Sequence, residues 1–217
     1  MPEVPSAPVR AVLIVVAVLL LAACGGRKAE TTATSCASVD APAPKADGGA
    51  TKPSAPLDPA KTYVLVVETS CGDFEITLDQ ELAPKTTASL VSLARAGFYD
   101  ATTFHRVVPD FVIQGGDPTG TGGGGAGYTT VDRPPADATY TKGVVAMAKT
   151  AADPPGTASS QFFVVTGADA FLPPEYAIVG KVTSGLDTVE RIGALGDVQT
   201  QRPSQTVLVD RISVRES

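Results

Sequence analysis

The chain has 217 residues, of which 43% are hydrophobic and 18% charged, and its formal net charge is −6 at pH 7. This composition is typical of a globular protein with enough length for one core, and the acidic balance argues against a nucleic acid as partner. One histidine and three scattered cysteines also speak against a catalytic zinc site, which needs about three protein ligands. We expect no metal and no cofactor.

The first 23 residues have the pattern of a secretory signal peptide. Arg10 precedes an unbroken apolar run over 11–22, which is short for a membrane span and ends in small residues. The sequence Leu-Ala-Ala-Cys that ends at Cys24 resembles a bacterial lipobox, whose cysteine takes a diacylglyceryl group and becomes the new N-terminus. The alternative is an uncleaved apolar anchor with an incidental cysteine. We therefore predict a signal peptide over 1–23, lipidation of Cys24, and an extracytoplasmic protein anchored by lipid to the bacterial cell membrane.

Residues 24–61 are predicted to be a disordered tether. They are rich in Ala, Pro, Thr, Ser, Lys and Gly and have almost no large apolar side chains. Such a segment buries too little surface to offset the entropy lost on ordering. Cys36 in this tether and Cys71 beyond it form either a disulfide, which an oxidising compartment permits, or two free thiols. The sequence leaves both possibilities open.

Residues 62–217 are predicted to be one folded domain rich in short strands. Alternating and β-branched runs bounded by turn residues predict strands at 63–68, 74–78, 143–148, 161–166, 177–182 and 206–214. Pro84 can open a helix and Gly97 can close it, with apolar residues at helical spacing between them, and 186–192 predicts a second, short helix. Many short strands with few helices favour an antiparallel barrel.

The segment 104–117, FHRVVPDFVIQGGD, carries the most chemically distinctive side chains of this domain. A strand that turns at Pro109 would bring a cation, an amide and several apolar groups together. The residues concerned are His105, Arg106, Phe111 and Gln114. The structural alternative places the arginine on a solvated strand edge, the phenylalanine in the core and the glutamine in solvent.

Other catalytic motifs are poorly supported. Residues 120–125, GTGGGG, satisfy the pattern GxGxxG, but no helix-forming run follows and no Lys-Ser/Thr pair completes a phosphate loop. There is no GxSxG motif, and His105 would have to serve as base for any nucleophile. Nucleotide binding and hydrolysis are therefore poor interpretations.

Segment 104–117 resembles the signature of the cyclophilin family of peptidyl-prolyl cis-trans isomerases. A second block, SQFF at 160–163, resembles the other hallmark of that family at about the expected distance, and the similarity runs from Tyr63 to Glu216. The resemblance implies a mainly β fold, a closed eight-stranded antiparallel barrel capped by two α-helices. It also implies a monomeric enzyme that isomerises X-Pro bonds without a cofactor.

The resemblance further assigns site residues. Those matching catalytic positions are Arg106, Phe111 and Gln114. Those matching substrate-binding positions are His105, Val112, Gly120, Ala148, Lys149, Gln161, Phe163, Phe171, Leu172 and Tyr176. Arg106 is implied as the donor to the proline nitrogen and Gln114 as its positioning partner, while His105 is expected to be a hydrogen-bonded structural residue beside the groove. Ala148 and Lys149 are expected to contact substrate through the main chain.

Strand alternation conflicts with part of this assignment. It places Val112 and Gln114 on one face and Phe111 on the other, whereas the resemblance places all three at the pocket. Both hold only if the backbone is irregular near Pro109, for instance at a bulge.

Four substrate-binding positions differ from the common family pattern. Phe171 stands where many members have tryptophan, Tyr176 where many have histidine, Lys149 where asparagine is frequent, and Val112 where methionine is frequent. Phenylalanine lacks the indole N–H that donates to the cyclic peptide cyclosporin. We therefore expect weak cyclosporin binding.

These observations predict a membrane-tethered isomerase that acts on X-Pro bonds of secreted or cell-surface proteins and assists their folding. One alternative is a non-catalytic module or chaperone that binds Pro-containing segments on the same barrel. Another is a structural envelope lipoprotein that uses the barrel as a scaffold. An intact Arg106 favours the enzyme, because a pure binder needs no donor to the proline nitrogen.

Overall fold

Eleven strands and two helices make up the part of the chain that the structure, a computed structural model, describes, which is residues 1–3 and 35–217. The predicted lipidation site Cys24 and most of the predicted signal peptide lie outside these residues. All the elements belong to one unit, Thr31–Ser217. In the described ranges, no helix is long and apolar enough to cross a membrane.

The elements follow one another along the domain in the order given by their residue ranges. The strands are β1 (Tyr63–Thr69), β2 (Gly72–Leu78), β3 (Thr102–Thr103), β4 (Arg106–Val108), β5 (Val112–Gly115), β6 (Thr130–Val131), β7 (Val144–Met147), β8 (Thr157–Ala158), β9 (Phe162–Val165), β10 (Ile178–Ser184) and β11 (Leu208–Glu216). The helices are α1 (Pro84–Arg95) and α2 (Leu186–Gly193). The fold is therefore mainly β with two helices, as predicted.

The predicted closed eight-stranded barrel is wrong. Nine strands form one antiparallel sheet in the order β3-β11-β1-β2-β10-β7-β9-β5-β4, a curled half-barrel with β3 and β4 at its edges, and β6 pairs separately with β8. A loop explains why β4 stays an edge strand: Val107, in the middle of β4, donates its N–H to the Gln201 carbonyl at 3.0 Å. The position that a neighbouring strand would occupy is thus filled by the loop.

The main core lies inside the curled sheet, beneath α1. Along β1 and β2 every second residue is buried, as expected for strands with one face toward a core. Pro84 opens α1, as predicted, because proline at the first turn forfeits no helical hydrogen bond. Leu90, Leu93 and Ile212 are among the fully buried side chains where helix and sheet meet.

The strands β5, β7 and β9 are covered on both faces. Their residues alternate between the main core and a second apolar cluster on the outer face of the sheet. The buried members of this second cluster are Val112, Tyr140, Ala146, Phe163, Val165 and Ala170, and its partly buried members are Phe111, Val144, Ala148, Leu172, Tyr176 and Ile178. The second cluster gives the outer face of the sheet an apolar surface.

Residues 35–61, called the strap below, lie along this domain. They belong to the predicted tether, yet the strap donates and accepts hydrogen bonds with residues from Ser70 to Ala126. Its first anchor is a disulfide between Cys36 and Cys71, and Cys71 is fully buried at the turn between β1 and β2. Composition predicted disorder because the strap has few large apolar side chains to bury. Backbone hydrogen bonds and a covalent bond hold it instead, and composition does not reveal these.

Candidate functional site

A row of side chains crosses the outer face of the sheet and joins the predicted site residues. In the antiparallel ladder Arg106 of β4 lies opposite Gln114 of β5, which lies opposite Phe163 of β9. Phe163 in turn lies opposite Ala146 of β7. Residues directly opposite in such a ladder share one face. Strand pairing therefore brings the guanidinium and the amide to the border of the second apolar cluster.

Phe111 reaches the same face because it lies in the turn before β5. Asp110 has a positive φ of 53°, and the N–H of Phe111 donates to the Val108 carbonyl at 3.2 Å, which closes the turn. The Arg106 Cζ atom lies 5.8 Å from the centre of the Phe111 ring. The conflict between strand alternation and the expected pocket is thus resolved by a left-handed residue in the turn.

Three side chains, Arg106, Gln114 and Gln161, form a continuous hydrogen-bonded chain to the glycine-rich loop at 120–127, and Gln201 bonds the other side of Arg106. Arg106 donates from Nη1 to Gln114 Oε1 at 3.3 Å and from Nε to Gln201 Oε1 at 2.7 Å. Gln114 Nε2 donates to Gln161 Oε1 at 2.9 Å. Gln161 Nε2 then donates to the carbonyls of Gly122 and Gly124 at 2.9 and 2.8 Å. Each amide is oriented by the next, so the guanidinium is held in one position.

The charge of Arg106 has no carboxylate partner among the described residues. Its hydrogen-bond acceptors are two glutamine amides, and its Nη2 atom has no protein acceptor in residues 35–217. Partial burial lowers the pKa of Arg106 while Tyr176 opposes this shift, and a guanidinium stays protonated at any physiological pH. The site therefore presents a fixed, uncompensated cation with one free N–H edge.

The second apolar cluster forms an apolar surface beside this cation. It includes Phe111, Val112, Phe163, Leu172 and Tyr176, which the resemblance assigned to the site. The ring of Tyr176 packs edge-on against Phe163 with centres 5.6 Å apart. Such a surface can accept a small apolar ring.

Tyr140 packs against Phe163 and Tyr176 of this surface, with ring centres 6.4 and 6.0 Å apart, and no sequence pattern indicated this role. It is 1% exposed, and its hydroxyl donates to the Tyr176 carbonyl at 2.8 Å and accepts the Tyr176 N–H at 3.0 Å. Burial raises the pKa of Tyr140, so the hydroxyl keeps its proton. Gln201 was missed as well, since it lies in a polar loop far along the chain.

Two predicted binding residues lie outside the second apolar cluster. Phe171 is 89% exposed, has a positive φ of 50°, and is not part of the second apolar cluster. The Lys149 side chain is only 3% exposed and forms an ion pair with Glu175 at 3.0 Å, with its ammonium 5.4 Å from the centre of the Tyr176 ring. Lys149 and Ala148 both border the cavity beside Gln161.

His105 lies beside Arg106 and is half-buried. Burial lowers its pKa, with Asp117 opposing the shift, so the imidazole is neutral at neutral pH. Its Nδ1 atom is buried without a hydrogen-bond partner among the described residues. The expected hydrogen bonding of this histidine is therefore incomplete.

The glycine-rich loop separates two cavities that flank the hydrogen-bonded chain. One, of about 460 Å³, is bordered by Arg106, Gln201 and the predicted site residue Gly120. The other, of about 500 Å³, is bordered by Gly122–Gly125 together with Ala148 and Gln161. In residues 1–3 and 35–217 there is no group of three His, Cys, Asp or Glu side chains placed to hold a metal ion.

Asp117 organises the inner side of the glycine-rich loop. It is fully buried and accepts hydrogen bonds from the N–H and hydroxyl of Thr119 and from the N–H of Gly122, between 2.5 and 2.8 Å. Burial alone would raise the pKa of Asp117, but these hydrogen bonds outweigh it and hold the pKa below its usual range. The Gly-Gly-Asp sequence that closes segment 104–117 is thus the inner anchor of the loop.

Comparison with known proteins gives a consistent result. Residues 64–214 match the family described as cyclophilin type peptidyl-prolyl cis-trans isomerase/CLD. The peptidyl-prolyl cis-trans isomerase ppi1 of Schizosaccharomyces pombe is 41% identical over 147 residues, which are 66% of this chain and 93% of that protein.

Solved structures show the same similarity. A cyclophilin type peptidyl-prolyl cis-trans isomerase of Cryptosporidium parvum superimposes with a TM-score of 0.65 and 30% identity, over 71% of this chain and 98% of that one. Its structure in the presence of the dipeptide Ala-Pro superimposes with a TM-score of 0.64 over 70% and 98% of the two chains. The strap lies N-terminal to the residues that the family description covers.

Proposed function

Because this chain belongs to the cyclophilin-type peptidyl-prolyl cis-trans isomerases and is an enzyme of that class, we propose that Arg106 stabilises the twisted X-Pro bond, assisted by Gln114 and Phe111. The observation that carries this proposal is the fixed guanidinium with a free N–H edge at the border of an apolar surface. The isomerase interpretation is the one that family membership supports over a binding module or a scaffold.

The chemistry needs no cofactor and no proton transfer. Amide resonance sets a rotation barrier of roughly 18–20 kcal/mol, and twisting the bond localises a lone pair on the proline nitrogen. A fixed donor aimed at that lone pair stabilises the twisted state more than either planar isomer, which lowers the barrier. Arg106 supplies this donor from Nη2, while Gln114 holds the guanidinium and presents its own amide to the substrate.

Substrate recognition rests on the apolar surface of the second cluster and the adjacent backbone. Val112, Phe163 and Leu172 receive the proline ring, and Phe111 packs beside that ring without separating it from the guanidinium, whose Cζ atom lies 5.8 Å from the centre of the Phe111 ring. The backbone of Ala148 and Lys149 and the Gln161 side chain lie alongside, where an extended peptide would pass. His105, Gly120 and Tyr176 complete the border of the groove.

We further propose that the clients are secreted or cell-surface proteins. The Cys36–Cys71 disulfide supports this, since such bonds persist in oxidising compartments. The predicted lipid on Cys24 would hold the enzyme at the outer face of the membrane, where newly exported chains emerge.

A protease-coupled assay on an Ala-Pro-Phe peptide tests the assignment of Arg106. Removal of one transition-state donor costs about a hundredfold or more in rate, so Arg106→Ala should lose most of its kcat/KM while keeping its melting temperature. Arg133→Ala is the matched control, because Arg133 is exposed and belongs neither to the second apolar cluster nor to the lining of the two cavities. Turnover near the wild-type level in Arg106→Ala would refute the proposed role.

A further inference from the structure

The strap contacts the outer edge of the glycine-rich loop at successive positions. Its N–H groups donate from Lys45 to the Pro118 carbonyl at 2.9 Å, from Gly48 to Gly125 at 3.0 Å and from Ala50 to Ala126 at 3.1 Å. The pairing is close: a Cβ added at Gly127 would come within 3.0 Å of the Gly48 Cα atom. The strap thus runs along the loop as an added backbone segment.

Asp47 makes the contact that lies nearest the site. Its Oδ1 atom accepts the N–H of Gly125 at 2.8 Å. The carbonyl of the preceding residue, Gly124, accepts the amide of Gln161, which continues to Gln114 and Arg106. A single peptide unit therefore connects a strap carboxylate to the hydrogen-bonded chain that holds the guanidinium.

Lys45 fixes the strap just before this contact. Its ammonium donates to the carbonyls of Gly97, Phe98 and Asp100 at 3.4, 2.6 and 3.0 Å, beyond the C-terminus of α1. It also lies 5.8 Å from the centre of the Phe98 ring. A positive charge near the carboxyl end of a helix is stabilised by the helix dipole. The three carbonyl acceptors together fix the position of the Lys45 ammonium. Asp47, two residues further on, is thereby brought to the loop.

The loop needs such support because of its sequence. Gly122, Gly123, Gly124 and Gly125 are consecutive, and glycine has the largest conformational freedom of any residue. Asp117 and Gln161 hold the inner side of the loop, while Asp47 and the strap backbone hold the outer side. Without the outer contacts, the carbonyls that orient Gln161 would sample several positions.

We infer that the strap is part of the active unit and that Asp47 is a positioning residue for the Gln161–Gln114–Arg106 chain. This inference rests on the proposed function of Arg106. The strap contact raises the fraction of molecules whose loop and side chains are in the arrangement that binds substrate. When the contact is removed this fraction falls, and the apparent affinity for substrate falls in the same proportion. Loss of Asp47 therefore acts on KM and leaves kcat unchanged, because a bound substrate restores the loop.

The test compares three variants of the full chain with the wild type. One hydrogen bond contributes about 0.5–1.5 kcal/mol, so Asp47→Ala should raise KM for a proline peptide about two- to tenfold. Amide hydrogen exchange should accelerate at 120–127 and stay unchanged in β1 and β2. Asp47→Asn keeps an oxygen acceptor and should restore both values. Asp40→Ala removes an exposed strap carboxylate that makes no hydrogen bond to the loop among the described residues, and it should match the wild type.

Two results would overturn the inference. One is a wild-type KM and wild-type loop exchange in Asp47→Ala. The other is a lower melting temperature with faster exchange throughout the domain, which would indicate general stabilisation only. Arg106→Ala in the same assay separates this inference from the proposed function. If that variant is inactive while Asp47→Ala is normal, only the role of the strap is refuted; if Arg106→Ala is active, the proposed function itself fails.

Discussion

Removal of the Cys36–Cys71 disulfide should destabilise the domain by an amount that can be worked from its position. The bond closes a segment with a sequence separation of 35. A cross-link of this span lowers the entropy of the unfolded chain by an amount worth about 4 kcal/mol at 25 °C in the chain-entropy description. For a domain of this size, each kcal/mol corresponds to about 2–4 °C in melting temperature. We therefore expect a decrease of about 8–16 °C.

Cys36→Ser is the variant of choice for this experiment. Cys71 is fully buried in the main core, and retaining it avoids a new cavity. Calorimetry of the wild type, the wild type with reductant and Cys36→Ser should show the same lower melting temperature in the last two samples. An unchanged melting temperature, together with two alkylatable thiols in the native wild type, would refute the reasoning.

Three further predictions concern the anchor, the inhibitor and pH. Cys24→Ala should abolish lipid incorporation and leave a competent domain, which lipid labelling with cell fractionation checks; unchanged labelling would contradict the anchor. Phe171→Trp should strengthen cyclosporin inhibition about ten- to a hundredfold with little change in turnover, because the indole adds the missing donor; equal inhibition of both proteins in one titration would contradict this. Burial lowers the pKa of His105 in the folded state below its value of about 6.5 in the unfolded chain. As the pH falls through and below about 6.5, the unfolded chain therefore binds a proton at this histidine before the folded chain does, and the free energy of unfolding decreases. Between pH 7.5 and 5.5, urea unfolding should therefore show a smaller decrease in the free energy of unfolding for His105→Gln than for the wild type. An equal decrease in both proteins would exclude this residue as the cause.

Regular elements of the fold were predictable because their side chains repeat with the period of the backbone. The hairpin of β1 and β2 and the strand at β9 lie within one or two residues of their predicted bounds. Strands β3, β6 and β8 have two residues each, too few for any periodicity, and were not predicted. Closure of the barrel was mispredicted for a related reason, since the loop that occupies the edge of β4 carries no pattern in sequence.

Site residues could be predicted where the residue type and its position in a strand determine its role. They could not be predicted where the role depends on contacts that only the folded structure creates. Arg106, Gln114 and Phe163 meet because strand register places them opposite one another. The supporting residues Tyr140 and Gln201 come from distant segments and have no local signature. The buried Lys149 side chain likewise follows from Glu175 and Tyr176, which only the fold brings near.

The central claim is that Arg106 accelerates rotation of the X-Pro bond and is not needed merely to bind it. Exchange NMR of an Ala-Pro peptide, with wild type and with Arg106→Ala at saturating enzyme, measures binding and isomerisation in one sample. Chemical-shift changes should show that both proteins bind the peptide, while cis/trans exchange cross-peaks appear with the wild type alone. Exchange cross-peaks of equal rate with Arg106→Ala would contradict the account.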